Sequence, residues 1–139
     1  MQRSLTYFIF CTAVFFCDVA FAGGDNTTAT YTATVDKDGI QHVRIIGGSY
    51  FFKPNRIVVK KDIPVELMVT KEPGMVPHTI TASAPEAGIV FDESIITDPK
   101  IITFTPKATG EYEFYCKNKL LFFHSHREKG MQGIFEVVE

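Results

Sequence analysis

From Thr30 to Val138 the chain alternates apolar and polar residues in short runs, and no stretch sustains a helical period over three turns. Alternation of this kind puts every second side chain on one face of a strand, so each run has a single face to bury. The runs cover 30–35, 41–46, 57–60, 65–70, 78–81, 102–105, 112–116 and 134–138. Proline, which cannot donate to a sheet ladder, recurs at seven positions, and turn residues separate the runs. The expected architecture is all-β, with seven or eight short strands most simply arranged as a two-layer sandwich. Asp36-Lys37-Asp38-Gly39 between the first two runs predicts a hairpin. Residues 84–100 read as loop with one short helical turn. Near the C-terminus Tyr112, Phe114 and Cys116 share one strand face, opposite Glu111, Glu113 and Tyr115, while Phe135 and Val137 lie opposite Glu136. Between these two strands runs an irregular stretch, 117–132, long enough to suggest a functional loop.

The start of the chain predicts an export signal over residues 1–22. Arg3 supplies a weak positive charge, Tyr7 to Phe16 an apolar core too short for a comfortable membrane span, and Ala20-Phe21-Ala22 a small-x-small cleavage pattern. Removing 22 of the 139 residues leaves 117, the size of one domain with a real core. Residues 23–40 then read as a flexible leader and the start of the first hairpin, and 41–139 as the domain proper. No later stretch is apolar enough to cross a bilayer, so the expected product is soluble and periplasmic or otherwise exported. One base, Arg3, and one acid, Asp18, leave with the signal, so the formal net charge stays at −2. Without a basic excess, nucleic acid is not an expected partner.

Cleavage also removes Cys11 and Cys17 and leaves Cys116 alone. A single cysteine in an oxidising compartment has no intramolecular disulfide partner. It is a buried spectator, an intermolecular bridge, a reactive thiol or a metal thiolate. The loop that follows it contains His124, His126 and Met131, and His78 stands far upstream with inward parity beside Ile80. Each of these residues has a structural reading of its own: a small buried hydrophobe, a hydrogen-bonded core histidine, two exposed loop histidines, a gap-filling methionine. Together they form a set with one chemistry in common. One thiolate, two imidazoles and a more distant thioether suit copper cycling between its two oxidation states, because the sulfurs favour the reduced ion and imidazole accepts both. His42, in the first hairpin, lies outside the set and reads as structural.

These segments resemble the cupredoxins, the plastocyanin and azurin group of copper proteins. The likeness runs from Tyr50 to Glu139. It comprises Tyr50-Phe51-Phe52-Lys53-Pro54 before Ile57-Val58-Val59, then Pro77-His78, and Phe104-Thr105-Pro106 followed by Gly110-Glu111-Tyr112-Glu113-Phe114-Tyr115-Cys116. It ends with His126-Arg127-Glu128-Lys129-Gly130-Met131-Gln132-Gly133, which has the plastocyanin-like histidine-to-methionine spacing. The resemblance implies a cupredoxin-like Greek-key β-sandwich holding one copper ion per chain for one-electron transfer. His78, Cys116 and His126 would be its equatorial ligands and Met131 its axial one. The departure from the family is the distance from Cys116 to the second histidine. Nine residues intervene here, or seven if His124 is the ligand, against a few in family members.

A binuclear copper site needs a second cysteine in this loop, and a structural zinc site needs cysteine pairs at short spacing; neither is present. The extra loop length contains Leu120-Leu121-Phe122-Phe123. These four either fold inward to cap the barrel end or form an exposed apolar patch where a redox protein partner docks weakly. The leading expectation is a non-enzymatic, mononuclear copper electron carrier. The alternative is an exported copper chaperone or storage protein with the same ligands. A thiol enzyme using Cys116 and His126 is a third reading, weakened because Cys116 ends a strand and no orienting third residue is evident.

Overall fold

The computed structural model describes residues 28–139; the expected signal segment and the first residues of the leader lie outside them. Ten strands follow one another: β1 (Thr30–Thr32), β2 (Gln41–Gly48), β3 (Phe51–Lys53), β4 (Arg56–Lys60), β5 (Val65–Lys71), β6 (His78–Ala84), β7 (Ile89–Ile95), β8 (Lys100–Phe104), β9 (Gly110–Tyr115) and β10 (Gln132–Val138). They form a six-stranded sheet in the order β1-β4-β10-β9-β6-β7 and a four-stranded sheet in the order β3-β2-β5-β8. The expected all-β sandwich is thus observed.

Two strands exceed the sequence expectation. β3 has three residues, too few for alternation to register. β7 falls in the stretch read as loop, after a single 3-10 turn at Pro85–Ala87. Its apolar face, Ile89, Phe91 and Ile95, is interrupted by Glu93, which pairs with Lys100 across the sheet edge. A charge at an inward parity position hides a strand from a pattern search, and an edge strand tolerates it.

The predicted first hairpin is corrected in its pairing. The turn exists, with Gly39 N–H donating to Asp36 O at 3.0 Å and Gly39 at φ +79. Only Val35 and Gln41 bridge across it. β1 instead lies parallel to β4, Thr30 opposite Arg56, and Ala33 is buried where the chain crosses to the other sheet. Alternation identifies faces and leaves partners open.

The core between the sheets is aromatic. The Phe114 ring lies 4.8 Å from Phe135 and 5.4 Å from Phe52, and Phe104 lies 5.3 Å from Phe135. Burying each such ring removes enough apolar surface to contribute roughly 2–3 kcal/mol. Gln41 is the one fully buried amide here. Its Nε2 donates to Lys60 O and Ile63 O, and its Oε1 accepts from Lys60 N–H, so its polar atoms are satisfied without water. Phe114 stands two residues before Cys116, so its contacts with Phe52 and Phe135 back the end of β9 from which the loop before β10 starts.

Candidate metal centre

Two strand ends and the loop before β10 deliver the site. β9 runs Tyr112, Phe114, Cys116 along its inner face, so the parity that buries Phe114 completely also buries Cys116 just past the strand end. His78 opens β6 with its side chain turned inward, 5% exposed. His126 comes from the loop and is 6% exposed. His78 Nδ1 lies 3.1 Å from His126 Nδ1, and Cys116 Sγ lies 4.0 Å and 3.4 Å from those two nitrogens. Imidazole and thiolate bind a first-row divalent ion at about 2.0–2.3 Å, which sets trigonal donors about 3.5–4 Å apart. The three atoms stand close to that spacing.

Met131 is fully buried beside them and tied to both ligand segments through its backbone. Its N–H donates to His126 O at 2.9 Å, and its carbonyl accepts from Cys116 N–H at 3.0 Å. Gly47 in β2 leaves room for it, because a Cβ there would stand 3.3 Å from the Met131 methyl and 2.6 Å from Ile95 Cδ1.

The long loop reaches this arrangement by pinching off its extra length. Asn118 O accepts from His126 N–H at 2.9 Å, and Asn118 Nδ2 donates to Pro77 O at 2.8 Å. One closure therefore brings His126 back beside Cys116 and pins it to the strand carrying His78. Residues 119–125 form an excursion outside the closure. At its end Ser125 and Glu128 form a reciprocal cap: Ser125 N–H and Oγ–H donate to Glu128 Oε2, and Glu128 N–H donates to Ser125 Oγ. That turn points His126 inward. It leaves His124 exposed and outside the donor group.

The four apolar residues of the excursion point to solvent: Leu120, Leu121, Phe122 and Phe123 are 64, 71, 93 and 60% exposed. The alternative in which they cap the barrel is not what the fold adopts. His42, on β2, is bonded to Asp38 through Nε2 at 2.8 Å and lies outside the donor group.

Thr79 was not singled out by the sequence. Its N–H donates to Cys116 Sγ at 3.3 Å, and its hydroxyl oxygen accepts from Lys117 N–H at 3.1 Å. It is a threonine among many in strands, and its role follows from a register that only the folded sheet supplies.

No protein-family profile matches the chain, and no curated protein matches it by sequence. Solved structures do. The metal-binding domain of the Cu(I)-exporting P-type ATPase CopA of Streptococcus pneumoniae D39, determined with Cu(I), shares 29% identity and a TM-score of 0.59, over 81% of this chain and 98% of that one. A copper-binding protein in its apo form shares 21% identity with a TM-score of 0.57, over 80% and 99% of the two chains. Reduced auracyanin from Roseiflexus castenholzii shares 15% with a TM-score of 0.56, over 77% and 99%. The fold is that of the cupredoxins.

In this cupredoxin fold the donor set suits one copper ion: two imidazole nitrogens, one thiolate sulfur and a buried thioether, with no carboxylate in the group. Burial holds His78 down to about 4, helped by His126 and Lys71, and burial with Lys129 lowers His126 as well. Both rings are therefore neutral at neutral pH with a lone pair free to bind metal.

The same shifts carry a stability cost in acid. A histidine whose folded pKa is depressed leaves the unfolded chain binding more protons below the ordinary value of 6.5. Copper-free protein should keep its stability above that pH and lose it progressively towards pH 4. His42 has the opposite sign, since Asp38 raises it, but it is solvent-exposed and contributes little. Denaturant midpoints measured across this range test the prediction, and His78→Gln should flatten most of the slope. A midpoint that rises on acidification, or a slope unchanged in His78→Gln, would contradict it.

Proposed function

We propose that this chain is an exported mononuclear copper protein that carries one electron at a time, with His78, Cys116 and His126 as equatorial ligands and Met131 as axial ligand. The observation that carries this reading is the convergence of three buried donor atoms, all within 4.8 Å of one another, on backbone already tied by hydrogen bonds. Copper held there supplies a couple of one-electron states, with soft sulfur favouring one and imidazole accepting both. The protein's part is to keep the donors where they are. The Asn118–His126 closure, the Met131 backbone bonds and the Thr79 N–H to Cys116 Sγ fix the ligand segments before metal arrives. Such a site moves little between oxidation states.

The exposed Leu120–Phe123 excursion is the docking surface of this proposal. A small apolar contact beside His126 favours weak binding and fast release, as an electron carrier needs from a redox protein partner. The export signal read over residues 1–22 supports delivery to the periplasm or an equivalent space. No helix among the described residues is long and apolar enough to cross a membrane. The proposed role is non-enzymatic: His78, Cys116, His126 and Met131 would together fill the positions of a four-coordinate ion and leave none for a substrate.

The likeness to a domain of a Cu(I) exporter supports a second reading, a copper chaperone or storage protein that uses the same ligands without cycling. Voltammetry of the copper-loaded protein separates the two. A carrier gives a reversible one-electron wave that persists over repeated scans. Loss of metal on reduction, or its ready transfer to a chelator, would favour trafficking.

A further inference from the structure

We infer that Tyr50 holds both imidazole planes of the centre in place by packing against them. The inference rests on the reading of the site as a metal centre and adds a positioning residue to it.

A ligating histidine ordinarily donates its second ring nitrogen to a carboxylate or carbonyl, and that bond sets the ring orientation. Among the described residues neither His78 Nε2 nor His126 Nε2 has such a partner; the hydrogen-bonding contacts of both rings are made through Nδ1, with each other and with Cys116. Packing must then orient the rings, and one aromatic side chain touches both. The Tyr50 ring stands edge-on to His126 at 4.9 Å between centroids and 76° between planes, and edge-on to His78 at 6.3 Å and 88°. Edge-to-face contacts of this kind are directional, so they resist rotation of the imidazoles as well as displacement. Lys129 Nζ lies 4.2 Å from the Tyr50 centroid, a cation–π contact that secures the tyrosine from the loop carrying His126.

The backbone gives an independent sign. Tyr50 sits in the turn between β2 and β3 at φ +64, a conformation that disfavours any residue with a Cβ and suits glycine. The turn is anchored by the Glu72 N–H bond to Gly47 O and by the Phe51 ring, which occupies the space a Gly48 side chain would need. A bulky residue kept in a left-handed turn at a functional site indicates that its side chain is needed there. The ring comes from the four-stranded sheet, whereas the histidines come from the six-stranded sheet and the loop before β10. Tyr50 thus spans the mouth of the sandwich.

The test uses Tyr50→Gly, which suits the turn's backbone, with Tyr50→Phe as the conservative rescue and Tyr50→Leu should the glycine variant fail to fold. In copper-free protein the ring-proton resonances of His78 and His126 should be sharp and ring-current shifted in the wild type and in Tyr50→Phe. In Tyr50→Gly they should broaden and move towards exposed values. Unchanged resonances in the glycine or leucine variant would overturn the inference while leaving the metal centre standing. Should no variant, wild type included, bind copper through the thiolate, the metal reading fails, and the copper-free resonances still decide whether Tyr50 holds the rings.

Discussion

His126→Ala should abolish the metal centre, while His124→Ala should leave it intact. Two histidines separated by one residue are interchangeable in an extended segment, where both would point the same way. This segment is not extended. The closure of His126 N–H on Asn118 O and the Ser125–Glu128 cap turn His126 into the donor group, 3.4 Å from Cys116 Sγ, and leave His124 in solvent. Truncating His126 removes one of three close donors and opens a buried space beside the thiolate. Copper affinity should fall by more than about 100-fold, beyond the 10- to 100-fold seen for loss of a mere supporting residue. For His124→Ala a change within about twofold is expected, as for a solvated side chain remote from the ion. Equilibrium copper titration with a competing chelator reads both. Equal losses, or the reverse order, would show that the loop rearranges on binding metal.

The loop also shows where sequence reasoning runs out. Nine residues between Cys116 and His126 are a departure from the family when counted along the chain. In space the departure vanishes, because Asn118 and His126 are joined by a hydrogen bond and the intervening residues bulge outwards. The end of that bulge has a signal that strand alternation does not use: Ser125-His126-Arg127-Glu128 has the serine-x-x-glutamate form of a capping box, and the structure forms it. For Leu120 to Phe123 the sequence left two outcomes open, burial over the barrel end or exposure. Four large apolar residues ordinarily go inside; here all four face solvent, and it is Asn118 that meets Pro77 beside His78.

Parity explains what could be read directly. Along β9 the two-residue period that buries Phe114 carries through to Cys116, and along β6 it sets His78 with Ile80. Such inferences need one strand and one buried face. Thr79 and Tyr50 needed more. Thr79 reaches the sulfur because β6 and β9 lie side by side, and Tyr50 reaches the imidazoles from the opposite sheet through a backbone conformation its residue type disfavours. The same limit explains β1, whose alternation was visible while its parallel pairing with β4 was not. It explains β7 too, where Glu93 breaks the inner face and an ion pair with Lys100 compensates.

Cys116 carries the central claim, and one comparison tests it. Its sulfur is fully buried, accepts from Thr79 N–H and lies within 4.0 Å of both imidazole nitrogens. A soft, covalent thiolate gives copper(II) an intense visible charge-transfer absorption that a hard hydroxyl at the same position cannot reproduce. Serine is close in size to cysteine, so Cys116→Ser should fold with the packing around Phe114 preserved. The measurement is the visible spectrum and copper content of oxidised, copper-loaded wild type beside Cys116→Ser. The account predicts about one copper per chain and a strong visible band in the wild type, and loss of that band in the serine variant. A serine variant that keeps the band, or a wild type that binds copper without one, would contradict it.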